Sequence, residues 1–337
     1  MEMSAIILAA GKGTRMKSDM PKCAHTIIDK PMLEYVIDSL KALKIQNIVA
    51  VVGYGKEKLM EAVGDKVLYA IQEEQLGTGH AVMQAKSFLQ GKEGITIIAI
   101  GDMPFIKKET LYSLIINHMQ ERADLTVLTV DHPQPYGYGR IYRNDKNQVV
   151  RIIEEKDCTK EQTDITEINA SVYAVDNKLL FDSLDLIKND NTQKEYYLTD
   201  IVDIFIQKGY RVNGYRANDY KELSGINNKL QLMEMECDLQ KKIIEKHLLS
   251  GVTIHSPYTV VIGKDVMIES GVVINANTQI IGKSEIYKDA VIGPNSMINN
   301  SIIKARAIIE SSIVVDSVIE ENETITPFSN IRNKKIH

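Results

Sequence analysis

Aliphatic residues follow two different rhythms along this chain. In the first, short apolar runs alternate with amphipathic stretches. Ala5 to Ala9, Ile48 to Val52, Val67 to Ile71, Ile95 to Ile100 and Leu125 to Val130 read as strands, and Met32 to Lys44, Lys56 to Val63, His80 to Leu89 and Lys107 to Gln120 read as helical crossovers. This alternation predicts an α/β fold with a doubly wound, mostly parallel sheet, whose ligands lie beyond the carboxyl ends of the strands. Further on come strands at Ile141 to Arg143 and Val149 to Ile153, one opening at Glu167, a helix to about Lys208 and a strand at Arg211 to Tyr215.

The second rhythm begins after a helical stretch, Lys229 to Leu249. Ile262, Ile268, Ile274, Ile280, Ile286, Ile292 and Ile298 recur every six residues, and after a one-residue slip Ile303, Ile309 and Val315 resume the spacing. With Gly263, Gly282 and Gly293 beside them, these positions predict a short parallel β-helix of fewer than four turns, each isoleucine stacked inside the coil. A buried isoleucine contributes about 1.5–3 kcal/mol relative to exposure, so the period has energetic weight. A sandwich would instead show alternation with period two. The expected organisation is a first domain over residues 1–226, a linker helix over 227–250, the coil over 251–327 and a polar tail over 328–337.

Composition narrows the field only a little. The chain has 337 residues, 44% hydrophobic and 25% charged, with a formal net charge of -5. No Lys/Arg run with interleaved aromatics suggests a nucleic-acid surface, so nucleic acid is not an expected partner. Neither a signal-like start nor a membrane-length apolar run is present, so the expectation is a cytoplasmic protein without membrane contact. Cys23, Cys158 and Cys237 form no Cys-x-x-Cys pair and suggest neither a disulfide framework nor zinc.

The candidate chemistry sits just after strands. Gly11 and Gly13 follow the first one and leave backbone amides open to phosphate oxygens, with Lys12, Arg15, Lys17 and Lys22 close by and Pro21 stiffening the approach to Lys22. A tight turn would use the same glycines, and the spacing matches neither a dinucleotide fingerprint nor a Walker loop. After the third strand, Gln72 to His80 offers a side-chain amide that fits the edge of a uracil or thymine ring, or else an ordinary helix cap. His80 reads as a structural residue at a helix start. Asp102 follows the fourth strand, where a buried carboxylate needs a cation, and beside a phosphate loop the natural cation is Mg²⁺.

The ordered set Leu8-Ala-Ala-Gly-x-Gly-Thr-Arg-Met16 with Pro21-Lys22, Gln72 to His80, Gly101-Asp102-Met103-Pro104, Gly137-Tyr138-Gly139-Arg140-Ile141, Glu154 to Asp157, Glu167-Ile168-Asn169, Glu195 to Asp200 and Gly225 to Lys229 carries a resemblance. It resembles the uridyltransferase half of the bacterial bifunctional enzymes that acetylate glucosamine-1-phosphate and couple it to UTP. The resemblance implies a Rossmann-like nucleotidyltransferase domain followed by a truncated left-handed β-helix. It also implies synthesis of UDP-N-acetylglucosamine and pyrophosphate from UTP and N-acetylglucosamine-1-phosphate, with Mg²⁺ as cofactor. Leu8, Ala9, Ala10, Gly11, Gly13 and Lys22 match nucleotide-sugar contacts, and Gln72, Gly77 and Thr78 match the uracil site. Ile100, Gly101 and Asp102 continue the substrate-binding set. Asp102 and Asn227 match metal ligands, Gly139, Glu154 and Asn169 match sugar contacts, and Arg15, Lys22 and Asp102 are the residues expected to serve catalysis.

The chain departs from that family's pattern at Ile100, where an aromatic ring is usual, and at Ala170-Ser171, where Thr-Gly is common. A different sugar-1-phosphate is therefore one alternative, and a non-catalytic nucleotide-sugar-binding subunit is another. Only His255 and His337 lie in or beside the coil, and the resemblance ends near Ile325 to Arg332. The expectation is that acetyl transfer is lost and that the coil serves as a scaffold or as an oligomer contact, a homotrimer being the association parallel β-helices commonly form and a short coil with few aromatics arguing against it.

Overall fold

The computed structural model describes Glu2 to Lys335; His337 and the end of the polar tail expected over 328–337 lie outside the described residues. The described chain divides into two compact units. The first holds the residues up to His25 together with Pro31–Lys229, and the second holds Thr26–Lys30 and the chain from Leu230 onward. Among the described residues no helix is long and apolar enough to cross a membrane.

The first unit is built on a nine-stranded sheet: β1 (Met3–Ala9), β2 (Asn47–Val52), β3 (Leu68–Ile71), β4 (Ile95–Ile100), β5 (Leu125–Asp131), β6 (Arg140–Arg143), β7 (Val149–Ile153), β8 (Glu167–Asp176) and β9 (Val212–Ala217). Its main order is β9-β5-β8-β4-β1-β2-β3, with β6 pairing β8 and β7. Strand β1 runs parallel to both neighbours, with Ile6 beside Val49 and Ile98. In that main order the exception to parallel pairing is β8, which lies antiparallel between β4 and β5; off it, β6 pairs antiparallel with both β8 and β7.

Successive residues of β1 serve opposite faces, as strand geometry requires. Ala5, Ile7 and Ala9 pack with Leu33, Val36, Ile37 and Leu40, whereas Ile6 and Ala10 pack with Val82, Leu89 and Phe205. The core therefore forms two layers, one on each side of the sheet. On the first side the helix Met32–Lys41 contributes Leu33, Val36, Ile37 and Leu40, a spacing that places them on one face.

Several boundaries shift from the sequence expectations. The helix expected over His80 to Leu89 begins at Thr78 and is two short helices, Thr78–Gln84 and Lys86–Leu89. A helix at Asn177–Leu184, absent from the sequence reading, starts where the Asp176 carboxylate accepts the Leu179 amide at 2.9 Å. In β8 the register slips between Asn169 and Tyr173, and Ser171 takes the left-handed backbone conformation with φ 56°. The Asn169 side chain holds that bulge by accepting the Ser171 amide at 2.9 Å.

The second unit is a left-handed parallel β-helix formed by three stacked sheets of five, five and four short strands, more than the four turns that the sequence reading set as a ceiling. Ile262, Ile280, Ile298 and Val314 form one ladder, and Ile274, Ile292, Ile309 and Ile325 form another. Two expected positions need correction. Val314, not Val315, is the buried residue of its strand, because the turns shorten along the coil. The Asn275 side chain bonds Gly293 eighteen residues on, whereas Lys304 pairs with Glu320 and Arg306 with Asn322 only sixteen residues on. Ile268, at an early turn, is only partly buried.

Serines line two corners of the coil and bond the backbone of the next turn. Ser301 N–H donates to Ser284 Oγ at 3.2 Å, Ser317 N–H to Ser301 Oγ at 3.1 Å, and Lys334 N–H to Ser317 Oγ at 3.0 Å. Ser312 and Ser329 repeat the arrangement from Ser296. Thr26–Lys30 belongs to this unit through Asp29, whose carboxylate accepts the Gly282 amide at 2.7 Å, and through Lys30, whose ammonium lies 2.6 Å from Asp265.

The serine ladder is testable. Ser301→Ala leaves the buried Ser317 amide without its acceptor and is expected to destabilise the protein by about 1–3 kcal/mol. Thermal or denaturant unfolding of the coil reads this loss, and an unchanged midpoint would remove the ladder's energetic role.

Candidate active site

The chain leaving β1 turns at Ala10 and Gly11 and makes a single helical turn at Thr14–Met16. Met16 is buried and anchors that turn in the core. The two glycines differ in what they require. Gly13 has φ 61°, and a Cβ there would come within 2.6 Å of Lys22 Cβ, so the loop tolerates no side chain at this point. Around Gly11 there is open space. The Leu8 and Ala10 carbonyls accept the Gly101 and Tyr54 amides at 2.9 and 3.2 Å, tying the loop to the ends of the neighbouring strands. Ala9 is buried between them.

Lys22, Asp102, Asn227 and Arg15 meet beyond the ends of these strands. The Lys22 ammonium donates to the Asp102 carboxylate and, at 2.7 Å, to Asn227 Oδ1. Arg15 Nη2 donates to the same Asn227 oxygen at 2.8 Å. The stretch Gly225 to Asn227 is brought in by two backbone links: Ile226 N–H donates to the Asp102 carbonyl at 2.9 Å, and Asn227 Nδ2 donates to the Gly225 carbonyl at 3.1 Å. A Cβ on Gly225 would lie 3.4 Å from Asp102 Oδ1, so the backbone packs directly against the carboxylate.

The chemistry of these donors suits a divalent cation. Asp102 Oδ1 is buried and accepts no hydrogen bond, an expensive state for a carboxylate oxygen that a hard cation relieves. Among the described residues no group of three or more His, Cys, Asp or Glu could hold a metal ion. One carboxylate and one amide oxygen still fit Mg²⁺, which keeps waters and substrate phosphate oxygens in its octahedral shell. Cys23 lies alongside, a buried thiol pushed up to about 12 by desolvation and further by Asp102 against the opposing pull of Lys22, so it is an inert neighbour.

On one flank, the loop from Gln72 to His80 is held by the segment Tyr196 to Leu198. Tyr196 N–H donates to the Leu76 carbonyl at 2.8 Å, Gly79 N–H to the Tyr196 carbonyl at 2.7 Å, and Leu198 N–H to Thr78 Oγ1 at 2.9 Å. Gly77 has φ 114°, and a Cβ there would come within 2.6 Å of the Tyr196 carbonyl oxygen. Gln72 is almost wholly buried; its amide nitrogen donates to the Gly77 carbonyl at 3.1 Å and lies 3.1 Å from His80 Nδ1. The sequence reading picked out both motifs without linking them.

On the other flank lie Gly139, Glu154 and Asn169. Asn169 N–H donates to the Gly139 carbonyl at 2.9 Å, and its side chain is committed to the Ser171 amide and, at 2.7 Å, to the Tyr173 hydroxyl. A Cβ on Gly139 would meet Ile152 at 2.9 Å and Glu154 Oε1 at 3.7 Å. Thr199 Oγ1 donates to Glu154 Oε1 at 3.0 Å. Burial raises the Glu154 carboxyl above the ordinary carboxylate range, opposed by the Thr199 bond and reinforced by Asp157, Asp200 and Glu195. Ile100 is half-buried at the end of β4, while the Ala170 methyl packs into the core, leaving the Ser171 backbone as the local departure. Thr199, Tyr173 and Tyr196 are the supporting residues that the sequence reading left without roles. The Glu-Tyr-Tyr-Leu-Thr-Asp stretch was the available signal for Tyr196 and Thr199.

Known proteins resemble this chain over much or nearly all of its length. A family model described as a MobA-like NTP transferase domain matches residues 5–160. The bifunctional protein GlmU of Brevibacillus brevis is 42% identical over 331 residues, covering 98% of this chain and 72% of that protein. The bifunctional GlmU proteins of a Geobacillus species and of Halalkalibacterium halodurans are 42% and 41% identical over 328 residues, each match covering 97% of this chain and 72% of the relative.

Asp200 gives this region a pH signature. Burial, then Asp203 and Asp157, raise its carboxyl from 3.8 to about 6, against the pull of Arg151. The folded protein therefore holds that proton more tightly than the unfolded chain. Its buried charge costs stability above about pH 6, and the cost is relieved as pH falls through 6 toward 3.8. Asp200→Asn is expected to raise the melting temperature at pH 8, with the gain over wild type shrinking on acidification. A gain independent of pH would show that the charge is not its source.

Proposed function

Since the chain belongs to the GlmU family, we propose that its first unit couples UTP to N-acetylglucosamine-1-phosphate, releasing pyrophosphate and UDP-N-acetylglucosamine, with Mg²⁺. The observation that carries this reading is the meeting of Lys22, Arg15, Asp102 and Asn227 at the strand ends, beside a loop whose glycines open the backbone.

In the proposed reaction an oxygen of the sugar phosphate attacks the α-phosphorus of UTP in line. The bond from that phosphorus to the bridging oxygen of the pyrophosphate breaks, and the electron pair leaves with pyrophosphate. A phosphate nucleophile is already ionised at neutral pH, so the protein is asked for positioning and charge neutralisation rather than for a general base. Lys22 and Arg15 supply positive charge to the reacting phosphates, and loss of the Lys22 contribution is worth about 3–4 kcal/mol on the scale of an oriented oxyanion donor. Asp102 and Asn227 would hold Mg²⁺, which supplies further neutralisation of phosphate charge when bound. Leu8 to Gly11 would face the nucleotide, Gln72, Gly77 and Thr78 the uracil, and Gly139, Glu154 and Asn169 the sugar.

A second sugar-1-phosphate is the competing reading, and Ser171 is the observation that favours it. A serine holds φ 56° at the bulge beside Asn169, where glycine would sit without strain, so the sugar side of the site is built differently from the common pattern. For the coil we propose a scaffold role and self-association. His255, beside its first turns, is exposed and stands apart from any described acid or base pairing.

Pyrophosphate release from UTP and Mg²⁺ across a panel of sugar-1-phosphates tests the main reading. The expected result is fastest release with N-acetylglucosamine-1-phosphate and a loss of at least about 100-fold in Asp102→Ala. Faster release with another sugar would move the assignment to the Ser171 side of the site, and silence with UTP still bound would leave a nucleotide-sugar-binding subunit. For the coil, acetyl-CoA with glucosamine-1-phosphate is expected to release no free thiol, and the chain is expected to sediment as a trimer; thiol release would restore the acetyltransferase activity.

A further inference from the structure

We infer that Arg140 is a positioning residue for the sugar-1-phosphate, its buried guanidinium setting the spacing between the segments that carry Gly139 and Glu154. The inference rests on the proposed placement of the sugar at Gly139, Glu154 and Asn169. The backbone already puts Arg140 at the hub of those three. In β6 it pairs antiparallel with Ile153 of β7 and with Ile168 of β8. One step along the register on each strand brings Gly139 beside both Glu154 and Asn169. The Asn169 amide accordingly reaches the Gly139 carbonyl, and a Cβ on Gly139 would meet Glu154 Oε1 at 3.7 Å.

Register fixes where these backbones run, and the Arg140 side chain ties together the loops that continue from them. It is one of the largest fully buried side chains, 1% exposed. Nη1 donates to the carbonyl of Tyr138, the residue before Gly139. Nη2 lies 2.7 Å from the carboxylate of Glu155, the residue after Glu154, and donates to the Thr163 carbonyl at 3.4 Å. One rigid plane of N–H donors thus spans three segments, a reach that a lysine ammonium lacks.

This arrangement is an expensive way to stabilise a fold. The cation is withdrawn from water against a single carboxylate that is itself partly exposed. Their 2.7 Å contact lies outside hydrogen-bonding geometry at Glu155 Oε2, and Arg140 Nε is buried without a partner. A buried ion pair of this kind adds little stability over apolar side chains of the same volume. What it supplies is a fixed distance between the Tyr138-Gly139 loop and the Glu154-Glu155 turn, the two segments that the proposed sugar would touch together.

The experiment measures KM and kcat for UTP and for whichever sugar-1-phosphate the full wild-type chain turns over fastest. Arg140→Met is expected to raise the KM for the sugar-1-phosphate about tenfold while the KM for UTP stays within about twofold of wild type. A residue serving the fold alone would lower the melting temperature and the active fraction, hence the apparent kcat, with both KM values unchanged. Glu155→Gln is expected to raise the same KM, and the double variant to raise it no further than Arg140→Met does, because the pair acts as one unit. Should Arg140→Met fail to fold, Arg140→Lys carries the test: it keeps the charge but not the span, and the KM for the sugar-1-phosphate must still rise. An unchanged sugar KM in Arg140→Met or Arg140→Lys, an equal rise in the KM for UTP, or a double variant showing the product of the two single effects would overturn the role of Arg140. Glu154→Ala separates this role from the reading beneath it: if that variant leaves the sugar KM unchanged, the placement of the sugar fails and the role of Arg140 falls with it.

Discussion

A carboxylate at the end of a buried strand is tolerable only where positive charge meets it, and much of the first unit is arranged around that requirement at Asp102. Lys22 reaches it from the loop after β1, and the Lys22 chain passes so close to Gly13 that a side chain on the glycine would collide with it. Asn227 arrives from far along the sequence, fixed by the backbone bond from Ile226 to the Asp102 carbonyl, and shares its oxygen between Lys22 and Arg15. The loop, the strand end and the close of the unit are thus joined by charge neutralisation at one oxygen pair, of which Oδ1 still lacks a hydrogen bond.

Around that centre many of the polar side chains are already occupied. Asn169 spends both ends of its amide on Ser171 and Tyr173, Thr78 accepts from Leu198, and Glu154 accepts from Thr199. Such commitments hold atoms in place before any substrate arrives, which lowers the ordering cost of binding. They also mean that a ligand on these flanks meets backbone groups and the remaining lone pairs more than free side chains.

The legible parts of the fold were those governed by periodicity. The strands that carry Ala9 and lead to Asp102 could be bounded from apolar runs, and the stacked isoleucines of the coil from their spacing, because burial on a regular element leaves a regular trace. Val314 escaped because the turns shorten, and a fixed period cannot register a change in loop length. The helix at Asn177 was missed although Asp176 is a recognisable cap three residues before the Leu179 amide it accepts. The role of Tyr196 was not legible for a deeper reason. It acts through a partner in another segment, and its backbone carbonyl leaves no mark on its own side chain.

The assignment of Thr26–Lys30 to the second unit gives the chain an interlaced order. It passes from one unit to the other after His25, returns after Lys30, and passes over again after Lys229. The coil's Gly282 amide depends on Asp29, a residue encoded well before most of the first unit. Genetic exchange at a single crossover near Lys229 would therefore deliver a coil without its own acceptor at Gly282. The two units are modules in space but not in the gene, and a coil inherited from elsewhere would need a matching Asp29 segment to come with it.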